Sequence, residues 1–315
     1  GFPLEERLRG MLAMRQDVML RYPASRAVFF PKGELLPLGT VIKQPDLAKT
    51  LEVIADDGFD GFYKGKLAKR LVDGVRAQGG NWTLDDLANY KVVEREPLRF
   101  DYRGVRIVTA APPSSGGVLL ATILNIVEGY DYAKLGRVDR IHVLTEAMRR
   151  AYRDRSFILG DPDFVQMPIR LLTSKDYAAG LRGSIRMDKA TPSSSLPDGR
   201  VIDGGTDTTH FSIIDADGNL AAVTASVNLP MGSGFIIPGT GVVLNNEMDD
   251  FALAMNQANA YGLIGTDANA PKPGKRMLST MSPTFAFAPD RVAVISTPGG
   301  SRIATMVLIG LLEFV

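Results

Sequence analysis

The chain has 315 residues, 36 Lys and Arg against 35 Asp and Glu, a net charge of +1 and 45% hydrophobic residues, the proportions of a globular protein with one large domain or two ordinary ones. The near-balance of charge leaves no bulk basic field for nucleic acid or an anionic membrane. No apolar run reaches the ~20 residues of a membrane span, and no charged start followed by an apolar core marks a signal peptide.

In chain order, the spacing of Leu8, Met11, Leu12, Val18 and Met19 predicts a helix over 4–20, with Pro3 as an early-helix residue. Further helices are expected over 44–57 and 61–78, the second ended by Gly79-Gly80. Thr83 with Asp85 and Asp86 behind it reads as an N-cap followed by first-turn acids. Residues 98–109 read as two strands around Tyr102-Arg103-Gly104, and the motif 112–117 (PPSSGG) leads into an apolar helix. Residues 138–157 show helical spacing, with Ile141, Leu144, Met148 and Tyr152 on one face. The basic run 149–155 on that helix reads as a solvated face. His142 and Glu146 stand four apart there, a metal-ligand spacing, but without a third ligand they read as a surface pair.

Residues 191–207 are rich in Pro, Gly and Ser and read as a loop, which sets a boundary just before Thr208. Beyond it, 210–215 and 220–227 alternate around Ala216-Asp217-Gly218-Asn219, the pattern of a hairpin. More strands are expected near 241–244, 284–287 and 292–296, with a helix opening after Gly299-Gly300. Helices before the boundary and strands after it point to a layered α/β or α+β core. The apolar stretch 308–315 ends without a cap or polar tail, so the chain is expected to be part of a longer polypeptide.

The choice of catalytic groups is narrow. There is no cysteine and there are two histidines, His142 and His210, so a cysteine nucleophile and a cysteine-ligated zinc are excluded. A Ser-His-Asp triad would need one of those two rings, and His210 alternates with Ser212 as an ordinary strand residue does. Thr208 can do without them. If the Asp207–Thr208 bond is cut, Thr208 gains an α-amine with a pKa of about 8, one residue's length from its own hydroxyl. Before the cut that nitrogen is an amide and cannot act as a base, so cleavage would be the activating event. The alternative is a plain strand threonine.

Gly299 and Gly300, between a strand and a helix, suit an oxyanion hole or simply a strand-to-helix turn. No phosphate-loop pattern is present. Around Glu247 and Asp250, acids and amides crowd between apolar stretches. If helical, these two acids share a face and could hold an ammonium, or the segment is a solvated turn. The spacing of a calcium loop is absent. Ser279 and Thr280 offer hydroxyls at a loop end.

Taken in order, these segments resemble the γ-glutamyltranspeptidase family of N-terminal nucleophile hydrolases. The resemblance rests on TTHFS from Thr208, DADGNLAAVT from Asp215, LNNEMDDF from Leu244, YGLIG from Tyr261, STMSP from Ser279 and PGGSR from Pro298. Upstream it adds FYKGKLA from Phe62, PPSSGG from Pro112 and LGDPD from Leu159. It implies an α+β fold, a four-layer αββα sandwich that would be incomplete here at both ends. It also implies a precursor that cuts itself into a large-subunit-like segment, 1–207, mostly helical, and a small-subunit-like segment, 208–315, which stay associated. The activity implied is transfer of a γ-glutamyl group, from glutathione or a related donor, to an amino acid, a peptide or water. A related acylase for glutaryl or β-lactam side chains, or a non-catalytic homologue, is the alternative.

On matching positions, Thr208 is the nucleophile, supported by Ser226. Gly299 and Gly300 form the oxyanion hole. Asn228, Glu247 and Asp250 take the substrate α-amino group, Ser279 and Thr280 take its α-carboxylate, and Tyr261 lies on a lid. No cofactor and no metal are implied, and a periplasmic or secreted location is expected by family analogy. Ser226 stands where the family has threonine, and Thr280 where serine is common. The arginine that pairs with the α-carboxylate would lie before Gly1.

Overall fold

The structure is a computed structural model that describes residues 1–196, 208–254 and 257–315. Asp207 and most of the expected loop before Thr208 lie outside the described residues. The chain forms two compact units: Gly1–Glu94 with Val227–Asn246, and Arg95–Ser226 with Glu247–Val315. The expected division at residue 208 is one of chain order, and the compact units partition the residues differently.

The first unit is mostly helical. Strand β1 (Phe2–Pro3) pairs antiparallel with β2 (Val41–Ile42), so Pro3 lies in extended backbone rather than opening the helix behind it. Helices α1 (Glu6–Met19), α2 (Pro23–Phe29), α3 (Pro45–Tyr63), α4 (Gly65–Ala77) and α5 (Leu84–Ala88) follow. Gly58, at φ +60°, interrupts α3. Ala68, Leu71, Val72 and Val75 bury the inner face of α4 at helical spacing and pack with Leu87, Phe235 and Ile237. Thr83 and Asp86 form the reciprocal capping box that opens α5. A second cluster joins Leu12, Met19, Phe29, Phe30, Ile42 and Ile236. The strand expected near 241–244 is only an isolated bridge, Ile236 to Val243. Gly239 and Gly241, at φ +72° and +67°, turn the chain there instead of extending it.

The second unit is α+β. Strands β3 (Leu98–Tyr102) and β4 (Val105–Thr109) form a hairpin whose turn residues, Arg103 and Gly104, both have positive φ. Helices α6 (Gly116–Glu128), α7 (Arg137–Ile158), α8 (Ile169–Leu172) and α9 (Lys175–Gly183) follow. After residue 208 come β5 (Thr209–Ile214), β6 (Leu220–Ala225), β7 (Thr284–Phe287), β8 (Val292–Ile295) and α10 (Ile303–Phe314). The antiparallel sheet runs in the order β3-β4-β7-β8. The β5–β6 hairpin packs against β8, and α6 packs against α7, α9, α10 and β3. Helix α6 is buried from Gly116 through Val127, which is why its sequence is apolar on every side. No helix among the described residues is long and apolar enough to cross a membrane.

Helix α7 departs from its sequence pattern. Ile141 is 54% exposed, whereas Glu146, Arg150, Asp154 and Arg155 are buried. The run 149–155 is therefore not a solvated face, and Glu146 is not part of a surface pair. Charges can line the inner side because they are bonded there: Arg150 reaches Glu146 Oε2 at 2.5 Å and Ser184 Oγ at 2.9 Å. His142 faces the carbonyl of Arg186 at 2.8 Å. No cluster of three metal-ligating side chains occurs among the described residues.

Candidate active site

Thr208 is buried and immediately precedes β5. The hairpin pairs Thr209 with Ala225, so the next step of the register sets Thr208 opposite Ser226. The turn that fixes this register is built by Asp215, whose carboxylate accepts from the N–H groups of Asp217 and Asn219 at 3.0 and 2.8 Å. Gly218 supplies the required φ of +81°. His210 lies between Thr224 Oγ1 and Ser212 Oγ at 2.9 Å each. Burial lowers its pKa, which favours the neutral ring in this strand-bridging position.

Beyond β8, Gly299 and Gly300 have φ of +148° and +54°, values that L side chains avoid. Gly299 begins the 3₁₀ turn that feeds α10. Among the described residues, neither glycine N–H meets an acceptor within the turn, as expected at a helix start. The buried hydroxyl of Tyr152 donates to the carbonyl of Ser301 at 2.5 Å and so fixes this turn to α7.

Glu247–Asp250 is a 3₁₀ helix. In that geometry side chains three apart lie one above the other, so the two acids meet closely enough for Glu247 to act on the Asp250 carboxyl. Burial, then the charge of Glu247, push the Asp250 carboxyl up to about 7, against the opposing pull of Arg155. Asn259 Nδ2 also reaches Asp250 Oδ1 at 3.3 Å. The Asn259 carboxamide oxygen accepts from the backbone N–H groups of Tyr261 and Leu263 at 3.0 Å each, and Tyr261 is buried. Asn228 belongs to the other compact unit. There it is buried at φ +71°, and its amide donates to the carbonyl of Asn246 at 2.9 Å.

Ser279 and Thr280 are seated by the PPSSGG motif. The Ser115 N–H and hydroxyl both reach the carbonyl of Ser279, at 2.9 and 2.7 Å. The Ser279 N–H donates to the carbonyl of Pro113 at 2.9 Å, and Ser114 donates to the carbonyl of Met281. A Cβ on Gly116 would come within 2.1 Å of Ser282 Oγ, so only glycine allows this approach. Arg155, fully buried, donates to Ser115 Oγ at 3.1 Å. It lines a small cavity together with Asp250, Asn259 and Asn269. Arg155 and Asn269 carry no local signature of this placement, and Ser115 stands out only as part of the PPSSGG motif. Arg155 lies in the basic run 149–155, and only the burial of that face of α7 singles it out.

The model of the family described as γ-glutamyltranspeptidase matches residues 1–315. The chain belongs to the γ-glutamyltranspeptidase family. It is 45% identical over 319 residues to a glutathione hydrolase proenzyme of a Pseudomonas species, covering 100% of this chain and 56% of that one. It is 44% identical over 296 residues to the glutathione hydrolase proenzyme of Escherichia coli, covering 93% and 51%. In fold it is similar to a cephalosporin acylase from Bacillus halodurans, with a TM-score of 0.80 at 28% identity, over 100% of this chain and 56% of that one. The chain thus spans about half the length of the curated relatives it matches. The α+β architecture of the second unit agrees with membership of this γ-glutamyltranspeptidase family.

Proposed function

We propose that the protein to which this chain belongs is a self-processing γ-glutamyl transferase and hydrolase acting on glutathione and related donors. The carrying observation is the Glu247–Asp250 pair. Two acids meet in one buried place, and burial with the charge of Glu247 holds Asp250 at about 7, so Asp250 is only half ionised at neutral pH and an arriving substrate ammonium would offset the repulsion and draw it into the charged form. In this reading the Asp207–Thr208 bond is cut, leaving segments 1–207 and 208–315 associated. The new Thr208 amine takes the proton of its own hydroxyl, and Oγ1 attacks the γ-carbonyl carbon. The N–H groups of Gly299 and Gly300 receive the oxyanion, a contribution of about 10²–10³ in rate per donor. The amide C–N bond then breaks, the leaving amine takes the proton, and water or an acceptor amine resolves the γ-glutamyl ester. Ser226 supports Thr208, Asn228 assists at the α-amino group, Ser279 and Thr280 take the α-carboxylate, and Tyr261 closes over the pocket. Export from the cytoplasm follows from family analogy alone.

The second reading, an acylase for glutaryl or cephalosporin-type amides, draws on the fold similarity to the Bacillus halodurans enzyme. The paired acids argue against it, because a plain glutaryl chain brings no cation to them. Two measurements on the full-length protein test the proposal. Mass spectrometry should find a fragment starting at Thr208, absent from Thr208→Ala. A γ-glutamyl anilide should turn over at least tenfold faster than a glutaryl anilide. An uncut, fully active protein would overturn the first part, and a glutaryl preference the second.

A further inference from the structure

Asn269 is buried and every polar group it carries is engaged. Its Nδ2 donates to the carbonyl of Asp250 at 2.7 Å, and its Oδ1 accepts from the N–H of Leu278 at 3.0 Å. Its own carbonyl accepts from Ala252 N–H at 3.0 Å, and its N–H donates to the carbonyl of Thr266 at 2.9 Å. One carboxamide therefore bridges the residue that carries the raised carboxyl and the residue next to Ser279-Thr280. The bridge is braced from outside. Lys275 Nζ spans the carbonyls on either side of Asn269, reaching Ala268 at 2.7 Å and Ala270 at 2.9 Å. The LGDPD motif supplies the seat: a Cβ on Gly160 would fall 2.1 Å from the carbonyl of Ala268, and Asp161 Oδ2 accepts from the N–H of Arg276 at 2.7 Å.

We propose that Asn269 is the positioning residue that sets the distance between the two halves of the γ-glutamyl clamp, the Glu247–Asp250 acids and the Ser279–Thr280 hydroxyls. The inference rests on the γ-glutamyl reading above and adds a residue to it. A donor that presents an α-ammonium and an α-carboxylate from one carbon gains most when both receivers stand at a fixed separation. Losing one buried hydrogen bond that fixes them costs about ten- to hundredfold in affinity.

The test is a square of four anilide donors assayed with the full-length, processed protein: γ-glutamyl, glutaryl (no α-amine), 4-aminobutanoyl (no α-carboxylate) and butanoyl (neither). The coupling is the gain in kcat/KM from the amine when the carboxylate is present, divided by the gain when it is absent. Any general loss of folded protein lowers all four rates alike and cancels. Asn269→Leu, which keeps the volume and removes both side-chain bonds, should lower this coupling at least tenfold, chiefly through KM for the γ-glutamyl donor. Asn269→Ser, too short to span both partners, should do the same and carries the test if the leucine variant does not fold. Coupling retained in both variants overturns the role of Asn269 and leaves the γ-glutamyl reading standing. A wild-type protein without coupling, or preferring the glutaryl donor, sinks the reading and the inference together.

Discussion

At Asp250, burial and the neighbouring Glu247 raise the carboxyl from 3.8 to about 7. The folded protein therefore keeps a proton that the unfolded chain releases above pH ~4, so the stability this residue provides falls as pH rises from about 4 to about 7 and stays lost above that. Asp250→Asn should consequently raise the melting temperature at pH 8 while removing most γ-glutamyl turnover, a trade seen where function keeps a strained group. Calorimetry beside kcat/KM checks both halves, and a lowered melting temperature would contradict the assignment. On the proposed reading the substrate ammonium binds the ionised form, so KM for a γ-glutamyl donor should rise as pH drops below about 7, by about tenfold per unit at most. The pairing of Glu247 with Asp250 was legible in the sequence, because three-residue spacing brings side chains together in any helical turn. Asn269 and Ser115 were not, because each bonds backbone groups outside its own turn (Asp250 and Leu278 for Asn269, Ser279 for Ser115), and no local pattern records such a bond.

Among the elements, α7 shows where pattern reading fails. Its apolar residues suggested one face, yet the buried side carries Glu146, Arg150, Asp154 and Arg155. A periodicity argument scores charge as solvated and cannot see that Glu146 finds Arg150, Arg149 and Thr191. Burial pushes the Glu146 carboxyl up, but the hydrogen bonds from Thr191 and Arg150 outweigh it and leave the pKa at about 2 against an ordinary 4.5. A lowered carboxyl stabilises above its unfolded value, so this contribution should be lost as pH falls from about 4.5 to about 2. Glu146→Ala, which strands Arg150, should cost about 3–5 kcal/mol by denaturant unfolding. Turns and hairpins were read more accurately, because Gly104, Gly218 and Gly299 occupy backbone states that few other residues tolerate. Replacing Gly299 by alanine keeps the N–H but forces the backbone away from φ +148°, so on the proposed reading it should misplace the oxyanion donor and lower kcat by up to about 10²–10³, with KM far less affected.

At the scale of the molecule, the sheet β3-β4-β7-β8 takes two strands from before residue 208 and two from after it. The central pairing runs from Arg106 opposite Phe287 to Thr109 opposite Thr284, and the hydroxyls of Thr109 and Thr284 meet at 2.9 Å. Ser115 with Ser279, Asp161 with Arg276 and Tyr152 with Ser301 add further bonds across the same divide. The order of helices and strands left α/β and α+β open and the family resemblance implied α+β, but neither foretold that strands so distant in sequence would lie side by side, since non-adjacent pairing leaves no mark on either strand. That interleaving has a thermodynamic consequence. An intact chain melts in a first-order event, indifferent to how dilute it is. Once nicked, the same sheet is an interface between two polypeptides, and melting becomes a dissociation. Its midpoint should climb with protein concentration, while that of an uncut Thr208→Ala precursor stays put.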